Sequence, residues 1–107
     1  MTPRGHSAVR LRILMSSHQH WRHHSLASEL MHRARTSGLA GATLFKGHEG
    51  WGHSGHLHHA GVLSDDRPES LVIVDSRDKI ERFLTETLAD MDIELQCTLS
   101  DVEVLDT

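Results

Sequence analysis

Leu71-Val72-Ile73-Val74-Asp75-Ser76-Arg77-Asp78-Lys79-Ile80 changes its period in mid-course. Leu71 to Val74 is apolar at every position, so both sides of a strand there need cover. Asp75 or Ser76 then offers a side-chain oxygen to the free N–H groups of a helix start. Beyond it Ile80, Phe83, Leu84, Thr87, Leu88 and Met91 recur at the i, i+3, i+4, i+7 spacing of one helix face. A strand that runs straight into an amphipathic helix is one half of an α+β unit. The helix covers one side of Leu71–Val74, and another subunit is the simplest cover for the other.

The same pattern stands upstream. Val9, Leu11, Ile13 and Met15 alternate with Arg10, Arg12 and Leu14, the two-residue period of a half-buried strand. Ser25 stands where a helix cap is needed, and Leu26, Leu30 and Ala34 follow at four-residue spacing with Ala27 and Met31 alongside. Gly38 supplies the left-handed stop beyond the helix end. Ala42–Lys46 resumes a strand pattern, and Val102 and Val104 alternate with Asp101 and Glu103 in a last strand that begins near Cys97. The order is β-α-β-β-α-β, a ferredoxin-like α+β sandwich with both helices on one sheet face.

Met1 to Ala8 has no periodicity and reads as a loose N-terminal arm, residues 1–8, before a single domain over 9–107. A chain of 107 residues has room for one core only. Its hydrophobic fraction of 37% and aromatic fraction of 4% are low for a free-standing monomer, which again points to burial between subunits. The formal charge of −4 argues against a general nucleic-acid binder. One cysteine excludes an intramolecular disulfide and fits a reducing, cytoplasmic setting. The first apolar stretch, Val9–Met15, is broken by two arginines and is too short to cross a bilayer, so the protein is not expected to be membrane-embedded.

Between the second and third strands lie Gly47, Gly50, Gly52, Gly55 and Gly61 among five histidines. So many glycines make regular structure costly, and the segment reads as a long excursion from the sheet that ends near Glu69.

Gly38-Leu39-Ala40-Gly41-Ala42-Thr43 and Gly47-His48-Glu49-Gly50-Trp51-Gly52 resemble the signature of domain-of-unknown-function family 190, a branch of the PII-like (nitrogen regulatory protein-like) proteins. Arg10-Leu11-Arg12-Ile13 looks like the family's first strand, Trp21 matches a tryptophan of its first loop, and His58 matches a histidine beyond the glycine cluster. Ile73-Val74-Asp75, Lys79-Ile80-Glu81 and Phe83-Leu84 look like its third strand and second helix, and Asp101-Val102-Glu103-Val104 like its last strand. The resemblance implies a PII-like subunit that assembles as a homotrimer. It implies an effector, often an adenine nucleotide, bound at subunit clefts, and a mobile signalling loop over 47–69 that controls a transporter or an enzyme. One departure stands out. PII proteins hold phosphates with a glycine- and lysine-rich turn before the last strand, where this chain has Asp90-Met91-Asp92-Ile93-Glu94, whose charge repels phosphate.

Lys46, Gly47, Glu49, Gly50, Trp51 and Gly52 are the candidate effector-binding residues, because glycines let backbone N–H groups converge on an anion and Lys46 adds charge. The competing reading is a strand end turning into a loop with Trp51 as its anchor. Neither a Walker nor a dinucleotide spacing is present.

Nine of the eleven histidines lie in two loops: His18, His20, His23 and His24 in the first, His48, His53, His56, His58 and His59 in the second. His53, His56, His58 and His59 are the candidate metal ligands for zinc, copper or nickel, with Glu49 or Asp65 to complete a set. Each taken singly is more simply a solvated loop residue. Charging of neighbouring imidazoles between pH 7 and 5, around the ordinary histidine value of about 6.5, would make them repel. The spacing His48 to His53 misses the zinc-peptidase helix motif by one residue. Ser54, Ser64 and Asp65 near histidines lack the rigid placement of a hydrolase triad, so no enzymatic activity is expected. Two functions follow: a PII-like regulator that binds a small anion, nucleotide or metal at subunit clefts and contacts a partner through the 47–69 loop, or a histidine-rich metal-binding or metal-sensing protein.

Overall fold

The alternation in the first strand is realised face by face. In the computed structural model, which describes residues 3–51, 57–59 and 66–106, strand β1 spans Arg4–Ser16, with Val9, Leu11, Ile13 and Met15 buried. Strands β4 (Thr43–Lys46), β7 (Pro68–Asp75) and β8 (Gln96–Asp106) join it in one antiparallel sheet of order β4-β7-β1-β8. Helix α1 (Leu26–Thr36) lies in sequence between β1 and β4, and α2 (Arg77–Met91) between β7 and β8. This is the expected β-α-β-β-α-β order, and the central strands β1 and β7 supply the sheet's side of the core, facing α1 and α2.

Leu11, Ile13, Leu71 and Ile73 project from one face of the sheet into a cluster with Leu26, Leu30 and Ala34 of α1 and Ile80, Phe83 and Met91 of α2. Full burial of a Leu, Ile or Phe side chain contributes about 1.5–3 kcal/mol, so this layer dominates the stability of so small a domain. Both helices start as the sequence indicates. The Ser25 hydroxyl accepts from the N–H of Ser28 at 3.2 Å, and Ser76, rather than Asp75, caps α2 by accepting from Lys79 N–H at 3.4 Å. Gly38 takes the left-handed φ of 79° beyond α1, and Asp92 (φ 53°) does the same at the end of α2.

Asp75 takes a different role. Its carboxylate accepts from Ala40 N–H at 2.9 Å and from Ser76 N–H at 2.7 Å, tying the Gly38–Ala42 connection to the start of α2. Among the described residues no helix lies over the opposite sheet face. There Leu14, Val72 and Val74 are half-buried and Phe45 is 57% exposed, the uncovered side expected from the apolar run Leu71–Val74.

Three features differ from the sequence reading. From Arg4 to Ala8 the chain is not the loose arm expected over 1–8; it pairs with Val102–Asp106 of β8 and extends the β1–β8 ribbon past the sheet. The partner lies almost a hundred residues away, and Gly5 fits because Glu103 lies across it: a Cβ at Gly5 would sit 2.7 Å from Glu103 Cγ. The first loop holds a small hairpin, β2 (His20–Trp21) with β3 (His24–Ser25). The long excursion also contains regular structure, with β5 (Glu49–Trp51) paired to β6 (Leu57–His59).

Candidate functional site

The excursion leaves the sheet at a point where glycine is required. The N–H of Gly47 donates to Pro68 O at 2.7 Å, and a Cβ on Gly47 would lie 2.7 Å from Pro68 Cγ. At Gly50 the same atom would stand at 3.4 Å. Glycines here therefore serve close approach of the loop to the start of β7. The Gly47 N–H is committed to Pro68, so an anion cradle at this turn would draw on Lys46 and on donors beyond Gly47. Lys46 is exposed and stands opposite Glu69 in the β4–β7 ladder; Glu69 is buried and also faces Met15 across β1.

The ladder of β5 and β6 sets Glu49 opposite His59, Gly50 opposite His58 and Trp51 opposite Leu57. Gly52, His53 and His56 of the expected sites lie outside the described residues, as do Ser54, Ser64 and Asp65. Among the described residues no group of three or more His, Cys, Asp or Glu side chains is placed to hold a metal ion. The two histidine-bearing loops do approach one another in one subunit. Ser17 N–H donates to Arg67 O at 2.7 Å, Arg67 N–H donates to Ser17 Oγ at 2.8 Å, and the hydroxyls of Ser16 and Ser17 both donate to Asp66.

A concavity missed in the sequence opens between α1 and the edge strand β4. Ala27, Ser28, Met31, His32 and Arg35 line it from the helix and Leu44 from the strand, around a volume of about 390 Å³. Small-molecule pockets run from about 300 to 1,000 Å³. Its floor is apolar, its rim carries the exposed Arg35 and His32, and Lys46 lies two residues beyond Leu44 on the same strand face. The groove and the root of the loop are thus joined through one short strand. Ala27 and Met31 stand alongside the apolar stripe in the sequence, but that they share a concavity with Ser28, His32 and Arg35 against Leu44 depends on where β4 lies.

On the far flank of α1, Trp21 is held by its surroundings. Its Nε1–H donates to the carbonyl of Met91 at 3.1 Å, and the guanidinium carbons of Arg22 and Arg33 lie 4.3 and 4.8 Å from the ring centroid. Arg33 also meets Asp90 at 2.6 Å and Glu29 at 3.8 Å. Part of the acidic stretch 90–94 is therefore neutralised within the subunit.

Two further groups are tuned. Burial pushes the Cys97 thiol up, which keeps it protonated and a poor nucleophile or ligand. A hydrogen bond to Asp101, and a weaker one to Glu81, raise the Arg77 guanidinium. Among the described residues no helix is long and apolar enough to cross a membrane.

Comparison with known proteins agrees with this architecture. The model of the family DUF190 (Uncharacterized ACR, COG1993) matches residues 8–104. A UPF0166 protein of Aquifex aeolicus (strain VF5) is 33% identical over 97 residues, covering 89% of this chain and 90% of its own. Among solved structures, CPII from Thiomonas intermedia K12 bound to ADP and bicarbonate superposes with a TM-score of 0.67 at 15% identity, covering 96% of this chain and 93% of that one. The same protein bound to ADP, AMP and bicarbonate gives 0.69 at 13% identity, over 96% and 92%. A putative PII-like signaling protein from Thermus thermophilus gives 0.62 at 18% identity, over 92% and 89%. The fold is the PII-like one.

Proposed function

This chain belongs to the DUF190 family, and on that premise we propose that it is a PII-like regulatory protein that binds a small effector and does not catalyse a reaction. It works as a cytoplasmic homotrimer, with the bare sheet face around Phe45, Val72 and Val74 turned toward the other subunits. The effector is an anion of the adenine-nucleotide class, and the 47–69 loop contacts a transporter or enzyme.

One observation carries this reading. The α1–β4 groove combines an apolar floor of Ala27, Met31 and Leu44 with the cationic Arg35 at its rim, and its strand leads within two residues to Lys46 and the Gly47 turn. The floor would take a purine and the rim a phosphate, and a filled groove would bear on the root of the loop. Lys46, Gly47, Glu49, Gly50, Trp51 and Gly52 then form the side of the site that passes occupancy to the loop. The ADP-bound state of the structurally similar CPII supports the ligand class.

Calorimetric titration with ADP tests it. The wild type is expected to bind, and Arg35→Glu and Leu44→Asp each to weaken binding at least tenfold. A wild type that takes up no ADP, AMP or ATP contradicts it.

The second reading, a metal-binding or metal-sensing protein, has one observation in its favour. The β5–β6 ladder places Glu49 across from His59 at the ends of the segment that holds His53 and His56. It requires zinc, copper or nickel binding that weakens toward pH 6, where protons compete for imidazole. Joint replacement of His53, His56, His58 and His59 by alanine with no loss of metal affinity would remove it.

A further inference from the structure

We infer that the β2–β3 hairpin is a second recognition site, in which Arg22 grips an oxyanion of the phosphate class. Arg22 and His23 form the two-residue turn between the paired Trp21 and His24. Arg22 has a φ of 56°, in the left-handed region where such turns favour Gly, Asn or Asp and where a Cβ costs free energy. A residue that breaks a local rule in this way is the observation from which a functional role is argued.

The arginine is placed rather than free to wander. Its guanidinium lies 4.3 Å from the Trp21 centroid, and Trp21 is anchored through Nε1–H to Met91 O. The hairpin base is fixed by Leu26 N–H donating to Gln19 O at 2.8 Å. Yet Arg22 is exposed and makes no ion pair or hydrogen bond among the described residues, whereas Arg33, the other cation on the same ring, engages both Asp90 and Glu29. Asp92, next to Met91 in the sequence, makes no ion pair with Arg22.

Ser16 to Ser28 contains no acidic residue, and the exposed His20, His23 and His24 flank the turn. His20 Nδ1–H donates to His18 O at 2.8 Å, which fixes that ring at the foot of the hairpin. The neighbouring carboxylates are engaged elsewhere, Asp66 by the Ser16 and Ser17 hydroxyls and Asp90 and Glu29 by Arg33, so the planar fork of Arg22 keeps its donors for a phosphate oxyanion. The site lies on the α2 side of α1, away from the groove toward β4.

Pyrophosphate titration followed by NMR at the Arg22 Nε–H tests it, with Arg22→Gly and Arg22→Asn as variants and Arg82→Gln as the control. The expected result is saturable binding that shifts the Arg22 signal and is unchanged in Arg82→Gln. Both Arg22 variants should bind at least tenfold more weakly and melt no lower than wild type, since glycine and asparagine suit the left-handed turn. A phosphoserine peptide binding more tightly than pyrophosphate would place the phosphate on a partner protein; equal or weaker binding would make the free anion the ligand. No shift at Arg22, equal affinity in the variants, or melting lowered by 5 °C or more in both variants would overturn the inference.

Discussion

The N–H of Gly47 donates to the carbonyl of Pro68 at 2.7 Å, and the Pro68 ring fills the space that a side chain on Gly47 would need. Gly47→Ala should therefore destabilise the domain by about 1–3 kcal/mol, the usual range for forced overpacking. Gly50→Ala, with 3.4 Å to the same ring, should cost less. Urea denaturation of the two variants checks the difference, and equal midpoints would count against this contact as the root of the loop.

Asp75 joins the Gly38–Ala42 connection to α2 through two backbone N–H groups. Asp75→Ala leaves both donors without a side-chain partner and should cost about 1–3 kcal/mol. Asp75→Asn retains one acceptor oxygen and should fall between alanine and wild type. Denaturation midpoints in that order are the expected outcome.

Trp21 spans the first loop, α1 and the end of α2. Trp21→Phe keeps an aromatic face for Arg33 but removes the donor to Met91 O, and should cost about 1 kcal/mol. Trp21→Ala should cost more, and hydrogen exchange at the C-terminal turn of α2 should then speed up. Exchange unchanged in both variants would show that the indole does not hold that turn.

Cys97 gives a pH dependence of known sign. Burial raises its folded pKa above the unfolded value, so the folded form keeps the thiol proton longer. Its contribution to stability is complete below the ordinary thiol range and declines as pH rises through and beyond it. Iodoacetamide at pH 8 should alkylate the native protein more slowly than the urea-unfolded chain. Equal rates would show the thiol to be unshielded.

The core was legible because its signals are local. Val9 to Met15 alternate, Ile80 to Met91 keep the helical period, and Ser25 and Ser76 stand at the two helix starts. What escaped depends on partners distant in sequence. Arg4 to Ala8 show no apolar alternation and become a strand only because β8 returns beside them. Glu49–Trp51 and Leu57–His59 are hidden by glycine and histidine, which carry no strand period, and are seen as strands only once they pair. The candidate site divides in the same way. Lys46 and Gly47 stand out in sequence, whereas the groove needs Leu44 to meet Met31 and Arg35 across two elements. Trp21 is visible as a family residue, but its partners Arg33 and Met91 emerge only in three dimensions.

The most direct test of the regulatory reading is native mass spectrometry of the gently purified protein with and without added ADP. It predicts a trimer carrying up to three nucleotides, and a Phe45→Asp variant, charged on the bare sheet face, shifted toward monomer. A wild type that sprays as a monomer and retains no nucleotide would contradict the account.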